Sequence, residues 1–144
     1  MLTGSYFNTV DEKGRVFIPT KLRYSLGERI WLVKGADTCL YVFTQDSWAD
    51  FAGRYINNLT LKDSNARKAQ RFFAGSAREL EIDKQGRINL PQEQMDYAGI
   101  KKDVVIMGCV DRIEIWSAEA HAKEMENLDP DQLMRDAQKA ADGE

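Results

Sequence analysis

Cysteine, histidine and proline are scarce in this 144-residue chain, which holds two, one and three of them respectively. Cys39 and Cys109 stand 70 residues apart with no CxxC pair and no clustered ligands, so neither a zinc site nor a disulfide framework is expected, only two buried thiols. A lone His121 excludes multi-histidine metal centres and leaves one base for any Ser-His-Asp or Cys-His chemistry. No apolar run approaches the roughly 18 residues of a membrane span, so no membrane partner is expected. Met1 to Val10 lack the basic flank and apolar stretch of a secretory signal, and a cytoplasmic protein is expected. There is no phosphate-cradling glycine loop, metal cluster or nucleophile motif, so the chain reads as a non-enzyme without cofactor or metal.

What remains is ordinary globular composition, 43% hydrophobic and 30% charged, at a length suited to one domain or two small halves sharing a core. The net charge of −3 hides an uneven distribution. Residues 117–144 carry eight acids and three bases, leaving the rest of the chain at +2. Lys13, Arg15, Lys21 and Arg23 form one basic cluster, and Lys62, Arg67, Lys68 and Arg71 another.

An internal repeat organises the sequence. Asp11-Glu12-Lys13-Gly14-Arg15-Val16-Phe17-Ile18-Pro19 matches Asp83-Lys84-Gln85-Gly86-Arg87-Ile88-Asn89-Leu90-Pro91 at an offset of 72, and Gly27 matches Gly99. Leu32 to Gly35 answers Val105 to Gly108, and Leu40 to Phe43 answers Ile113 to Trp116. Each copy predicts a short strand, a hairpin through Asp-x-x-Gly-Arg, and a second strand, Val16 to Ile18 or Ile88 to Leu90. A short helix then follows a proline and ends at Gly27 or Gly99 as the C-cap residue. A second hairpin comes next, Ile30 to Lys34 with Cys39 to Thr44, or Val104 to Met107 with Arg112 to Trp116.

A longer helix closes each copy. Thr44 caps the first, with Trp48, Phe51, Ala52 and Tyr55 on one stripe. Ser117 caps the second, with His121, Met125 and Leu128 on one face. The connector helix starts near Ser64, turns Ala66, Ala69 and Phe73 inward and Arg67, Lys68 and Arg71 outward, and ends at Gly75. Its basic face is a second candidate for phosphate contact. Beyond Asp129-Pro130 the acidic, alanine-rich tail reads as a loosely held helix or disorder. The domain reading is repeat 1 over 5–48, helical connector over 49–76, repeat 2 over 77–120 and acidic tail over 121–144. A unit of this size cannot bury a sufficient core alone, so the copies should complete one another in an α+β, mainly β, pseudo-twofold barrel or sandwich with flanking helices.

The doubled Asp-x-x-Gly-Arg motif, the Arg67 to Gly75 connector and the Ala98 to Trp116 stretch resemble the MraZ family of tandem SpoVT-AbrB transcription regulators, over about residues 1 to 125. That resemblance implies swapped-hairpin AbrB-type β-barrels assembled into a closed homo-oligomeric ring. It also implies binding of double-stranded DNA at direct repeats upstream of the division and cell wall gene cluster that contains its own gene, as a repressor at the nucleoid. The residues themselves supply candidates. Arg15 and Arg87, each following a glycine turn, are expected to contact DNA, as are Lys13 and Lys84 at the loop tips and Lys21 and Arg23 in the short helix beyond the second strand. Asp11, Gly14, Asp83 and Gly86 are expected to shape the turns. After Pro91 the second copy has Gln92-Glu93-Gln94 where the first has Thr20-Lys21-Leu22-Arg23, so the copies are not electrically equivalent. The alternative is an AbrB-like oligomeric scaffold that binds a protein partner.

Overall fold

The computed structural model describes residues 1–57 and 61–143; residues 58–60 of the expected connector and residue 144 of the expected tail lie outside them. The first half runs β1 (Ser5–Thr9), β2 (Arg15–Phe17), α1 (Thr20–Arg23), β3 (Arg29–Lys34), β4 (Leu40–Phe43) and α2 (Gln45–Tyr55). After α3 (Ser64–Ser76) the order repeats as β5 (Arg78–Glu81), β6 (Arg87–Asn89), α4 (Gln92–Ala98), β7 (Asp103–Gly108), β8 (Ile113–Ser117) and α5 (Ala118–Glu124). Helix α6 (Pro130–Asp142) follows α5.

Strand pairing departs from the expected first hairpins. Asp11 N–H donates to the Arg15 carbonyl at 2.9 Å and Asp83 N–H to the Arg87 carbonyl at 2.9 Å, so both turns form. The strands then separate. β2 pairs with β6, setting Val16 opposite Ile88, while β1 pairs with β7 and β5 with β3. Burial decides this: Val16 and Ile88 are both 1% exposed, and an antiparallel ribbon places both on one apolar side. The copies thus exchange strands, and neither half completes its own sheet.

The large sheet has the order β1-β7-β8-β4-β3-β5, all antiparallel, and the β2–β6 ribbon is a separate sheet. It does not close into the expected barrel, because β1 and β5 remain as edges. Between the ribbon and one face of the large sheet lies the main core, including Val16, Ile18, Leu22, Ile30, Leu32, Val42, Ile88, Ile106, Ile113 and Ile115. The other face carries an aromatic layer, in which Tyr41, Phe43 and Trp116 meet Trp31, Trp48, Phe51 and Phe73. β4 is therefore buried on both sides, which is why Leu40-Tyr41-Val42-Phe43 is an unbroken apolar run. Truncating the fully covered Phe43 to alanine should cost about 3–5 kcal/mol.

Helix ends follow local chemistry. Thr44 Oγ1 accepts from Ser47 N–H, and Ser47 Oγ accepts from Thr44 N–H, a reciprocal cap that starts α2. Trp48 and Phe51 then pack on Phe43, with ring centroids 5.7 and 4.9 Å away. Gly99 ends α4 at φ +66°, whereas α1 stops at Arg23 and Gly27 lies beyond it, correcting its expected role as a cap. Ser117 accepts from Ala120 N–H, but α5 has only seven residues and ends before Met125, so the expected longer helix is absent there. Met125 and Leu128 are nearly half exposed.

Candidate nucleic-acid interface

Each Asp-x-x-Gly-Arg turn is built the same way. Asp11 Oδ1 accepts from the Lys13 and Arg15 backbone amides at 3.0 and 2.8 Å, and Oδ2 accepts from Arg15 Nε at 2.8 Å. Asp83 Oδ1 accepts from the Gln85 and Arg87 amides, both at 2.9 Å, and Oδ2 from Arg87 Nε at 2.9 Å. One carboxylate oxygen thus fixes the backbone while the other restrains the guanidinium. These bonds hold both carboxyls below the usual aspartate value, with the Arg15 or Arg87 backbone amide as the largest cause. Gly14 and Gly86 each adopt φ +83°, a left-handed conformation that side chains disfavour.

The turns also interlock. Leu90 N–H donates to the Gly14 carbonyl at 2.8 Å, and Ile18 N–H donates to the Gly86 carbonyl at 2.9 Å. Each copy's turn is therefore held by the other copy's strand, and the two motifs, 72 residues apart, become one object. In the ribbon, Phe17 faces Arg87 and Arg15 faces Asn89. Since Val16 and Ile88 point to the core, strand alternation puts Arg15, Phe17, Arg87 and Asn89 on the outer side. The Arg15 and Arg87 side chains are 32% and 20% exposed. Their ion pairs use Nε, so among the described residues no hydrogen bond engages the terminal nitrogens.

Phe17 and Asn89 were not expected as site residues, and the signal for them is Arg-x-Phe and Arg-x-Asn at period two. Phe17 is 49% exposed, and the Arg87 guanidinium carbon stands 5.9 Å from its ring centroid. Asn8 from β1 braces the same strand, donating to the Phe17 carbonyl at 3.1 Å.

Lys13 and Lys84 are exposed on their turns and Lys21 is exposed on α1. Arg23 is different. It is half-buried, its Nη2 donates to Thr20 Oγ1 at 2.9 Å, and a Cβ added at Gly86 would collide with its guanidinium. Its Nε is buried with no partner among the described residues. The equivalent neighbour of Gly14 is Met95, and the hollow beside that turn contains Asp11, Glu12 and Asp96 as well as Lys13 and Lys101. The second turn thus gathers Arg23, Lys84 and Arg87, while the first stands in mixed charge.

Among the described residues, no group of three or more His, Cys, Asp or Glu side chains could hold a metal ion. No helix of the described chain is long and apolar enough to cross a membrane. The family model described as "MraZ protein, putative antitoxin-like" matches residues 1–72 and again 73–143. The chain belongs to the MraZ family. It is 45% identical over 135 residues to Transcriptional regulator MraZ of Caldicellulosiruptor bescii, covering 92% of this chain and 94% of that one. Transcriptional regulator MraZ of Clostridium tetani is 45% identical over 119 residues, 83% of each. The solution structure of PHS018 from Pyrococcus horikoshii matches 80% of this chain and 88% of its own at 16% identity and a TM-score of 0.32, a likeness that carries no argument.

Proposed function

We propose that this MraZ-family chain is a sequence-specific DNA-binding transcriptional regulator whose β2–β6 ribbon meets the duplex. The observation that carries the reading is the union of Arg15 and Arg87, from two distant copies of one motif, on a single two-stranded ribbon. A ribbon of this kind fits the major groove, where arginine pairs with guanine and asparagine with adenine. Restraint by Asp11 and Asp83 lowers the entropy each arginine loses on binding. Lys13, Lys84, Lys21 and Arg23 flank the ribbon and would meet phosphates, fixing register without reading sequence. Asp11, Gly14, Asp83 and Gly86 would serve to shape the two turns.

The family relatives' name supports regulation, and the finer parts of the proposal extend it. The repeats spanning 5–48 and 77–120 act as one SpoVT-AbrB pair of swapped-hairpin type, joined by the 49–76 connector. The protein works in the cytoplasm at the nucleoid, as a repressor bound to direct repeats upstream of its own division and cell wall cluster. A handful of cations per chain gives weak, salt-sensitive binding. Several copies in a ring, meeting evenly spaced repeats, would raise avidity by about 10² to 10⁴.

Gel-shift titration of DNA from upstream of its own gene, at several salt concentrations, tests this. The native chain should bind that DNA in preference to scrambled sequence, and R15A/R87A should lose the preference. Equal binding to both sequences by the native chain would remove the claim of specificity.

A further inference from the structure

Helix α6 carries three carboxylates against two cations, and the chain has a groove of matching chemistry elsewhere. All of α6 is exposed, including Leu133 at 48% and Met134 at 73%. At about 3.6 residues per turn, Leu133, Met134, Ala137 and Ala141 share one face. Asp131 and Asp136 border that face on its two sides, while Arg135 and Lys139 lie across the helix. A 13-residue helix is marginal in water by itself, so an uncovered apolar stripe of this kind calls for a docking surface.

Helix α3 supplies the complement. Its thirteen residues contain Arg67, Lys68 and Arg71 and no acid. Between it and the β3–α4 side lies a groove lined by Lys34, Lys68, Arg71, Phe72 and Glu93. Phe72 is 38% exposed, with Tyr97 behind it at 5.7 Å between ring centroids. Glu93 pairs with Lys34 at 3.1 Å and with Arg78 at 3.6 Å, so one acid answers four cations around the groove. The surface therefore offers cations beside an aromatic floor, and α6 offers carboxylates beside an apolar stripe.

We infer that α6 of one copy docks in the α3 groove of a second copy, Leu133 and Met134 toward Phe72 and Asp131 and Asp136 toward Lys68 and Arg71. Charge complementarity selects this occupant: an acidic amphipathic helix fits both the cations and the ring, whereas a phosphate backbone would use the cations alone. The link joins like copies head to tail, α6 of each to α3 of the next, and such heterologous contacts either close into rings or run on as filaments. The inference stands apart from DNA contact by the ribbon and requires only self-association.

Sedimentation velocity of the full chain without DNA is the test. K68E/R71E and D131K/D136K should each weaken self-association about tenfold, and the combined charge swap should restore it. L133D should also dissociate the assembly, and circular dichroism should show each variant folded, because every changed residue lies on the surface or only partly buried. A native chain that stays monomeric, unchanged association in either charge reversal, or a combined swap that fails to recover would overturn the inference. Loss of DNA affinity in K68E/R71E at unchanged association would also overturn it and assign the groove to phosphates. R15A/R87A keeps the groove intact, so failure of the ribbon reading would appear separately.

Discussion

Phe17 of the first repeat and Arg87 of the second face each other across a two-stranded ribbon, with the guanidinium carbon 5.9 Å from the ring centroid. Arg15 has Asn89 in the corresponding place. The repeat is therefore symmetric in backbone and asymmetric in the chemistry it presents. Arg87 rests on an aromatic face, and Arg15 stands beside an amide.

F17A should lower DNA affinity by removing that support, about 0.5–1 kcal/mol for an exposed cation–π contact. N89A should instead relax preference at one base position while leaving affinity for scrambled DNA unchanged. Fluorescence anisotropy with operator and scrambled duplexes separates the two outcomes.

Both turn glycines should resist substitution. G14A and G86A each force a side chain into φ +83°, at about 1–2 kcal/mol, and G86A also displaces the Arg23 guanidinium. Gly75 is the control. It lies inside α3, which runs on to Ser76 instead of ending at this glycine as expected, and nothing lies within 4 Å of an added Cβ, so G75A should stabilise by about 0.5–1 kcal/mol. Urea unfolding of the three variants checks the order.

Much of this was legible in the sequence. The repeat located both turns at an offset of 72, and the two second hairpins and the caps at Thr44 and Ser117 at an offset of 73, because those depend on local residue chemistry. What local pattern does not contain is which strand meets which. Arg15-Val16-Phe17 reads equally well as the return arm of its own hairpin or as a partner of Arg87-Ile88-Asn89. The choice is made by burying Val16 against Ile88, a contact between residues 72 apart. The same reason hid Phe17 and Asn89, whose shared face exists only once the ribbon forms. Arg23 looked like a free cation, and only tertiary structure sets it against Gly86.

Acid should loosen the turns. Asp11 and Asp83 are held below the ordinary carboxylate value in the folded chain, so their contribution is complete above the unfolded value near 3.9 and is lost as pH falls through the lower folded one. D11N/D83N should unfold at lower urea than the native chain at pH 7, and the gap should narrow as pH is brought below 3.9. A gap that does not change with pH would mean that the carboxylate charge has no part in the turns.

Neither thiol should behave as a redox or nucleophilic group. Burial raises Cys39 far above the ordinary thiol value and pushes Cys109 up to about 11, with Glu114 adding to both. At pH 8 the thiolate of Cys109 is then about a thousandth of the total. Cys109 is half-buried rather than the second buried thiol expected, so a thiol-reactive dye should label it far more slowly than a free thiol and label Cys39 only after denaturation.

The most direct test is protection of the ribbon itself. With DNA from upstream of its own gene bound, Arg15 and Arg87 should be shielded from an arginine-modifying dicarbonyl, read by mass spectrometry, while Arg54 and Arg135 continue to react. Equal modification of Arg15 and Arg87 with and without bound DNA would contradict the account.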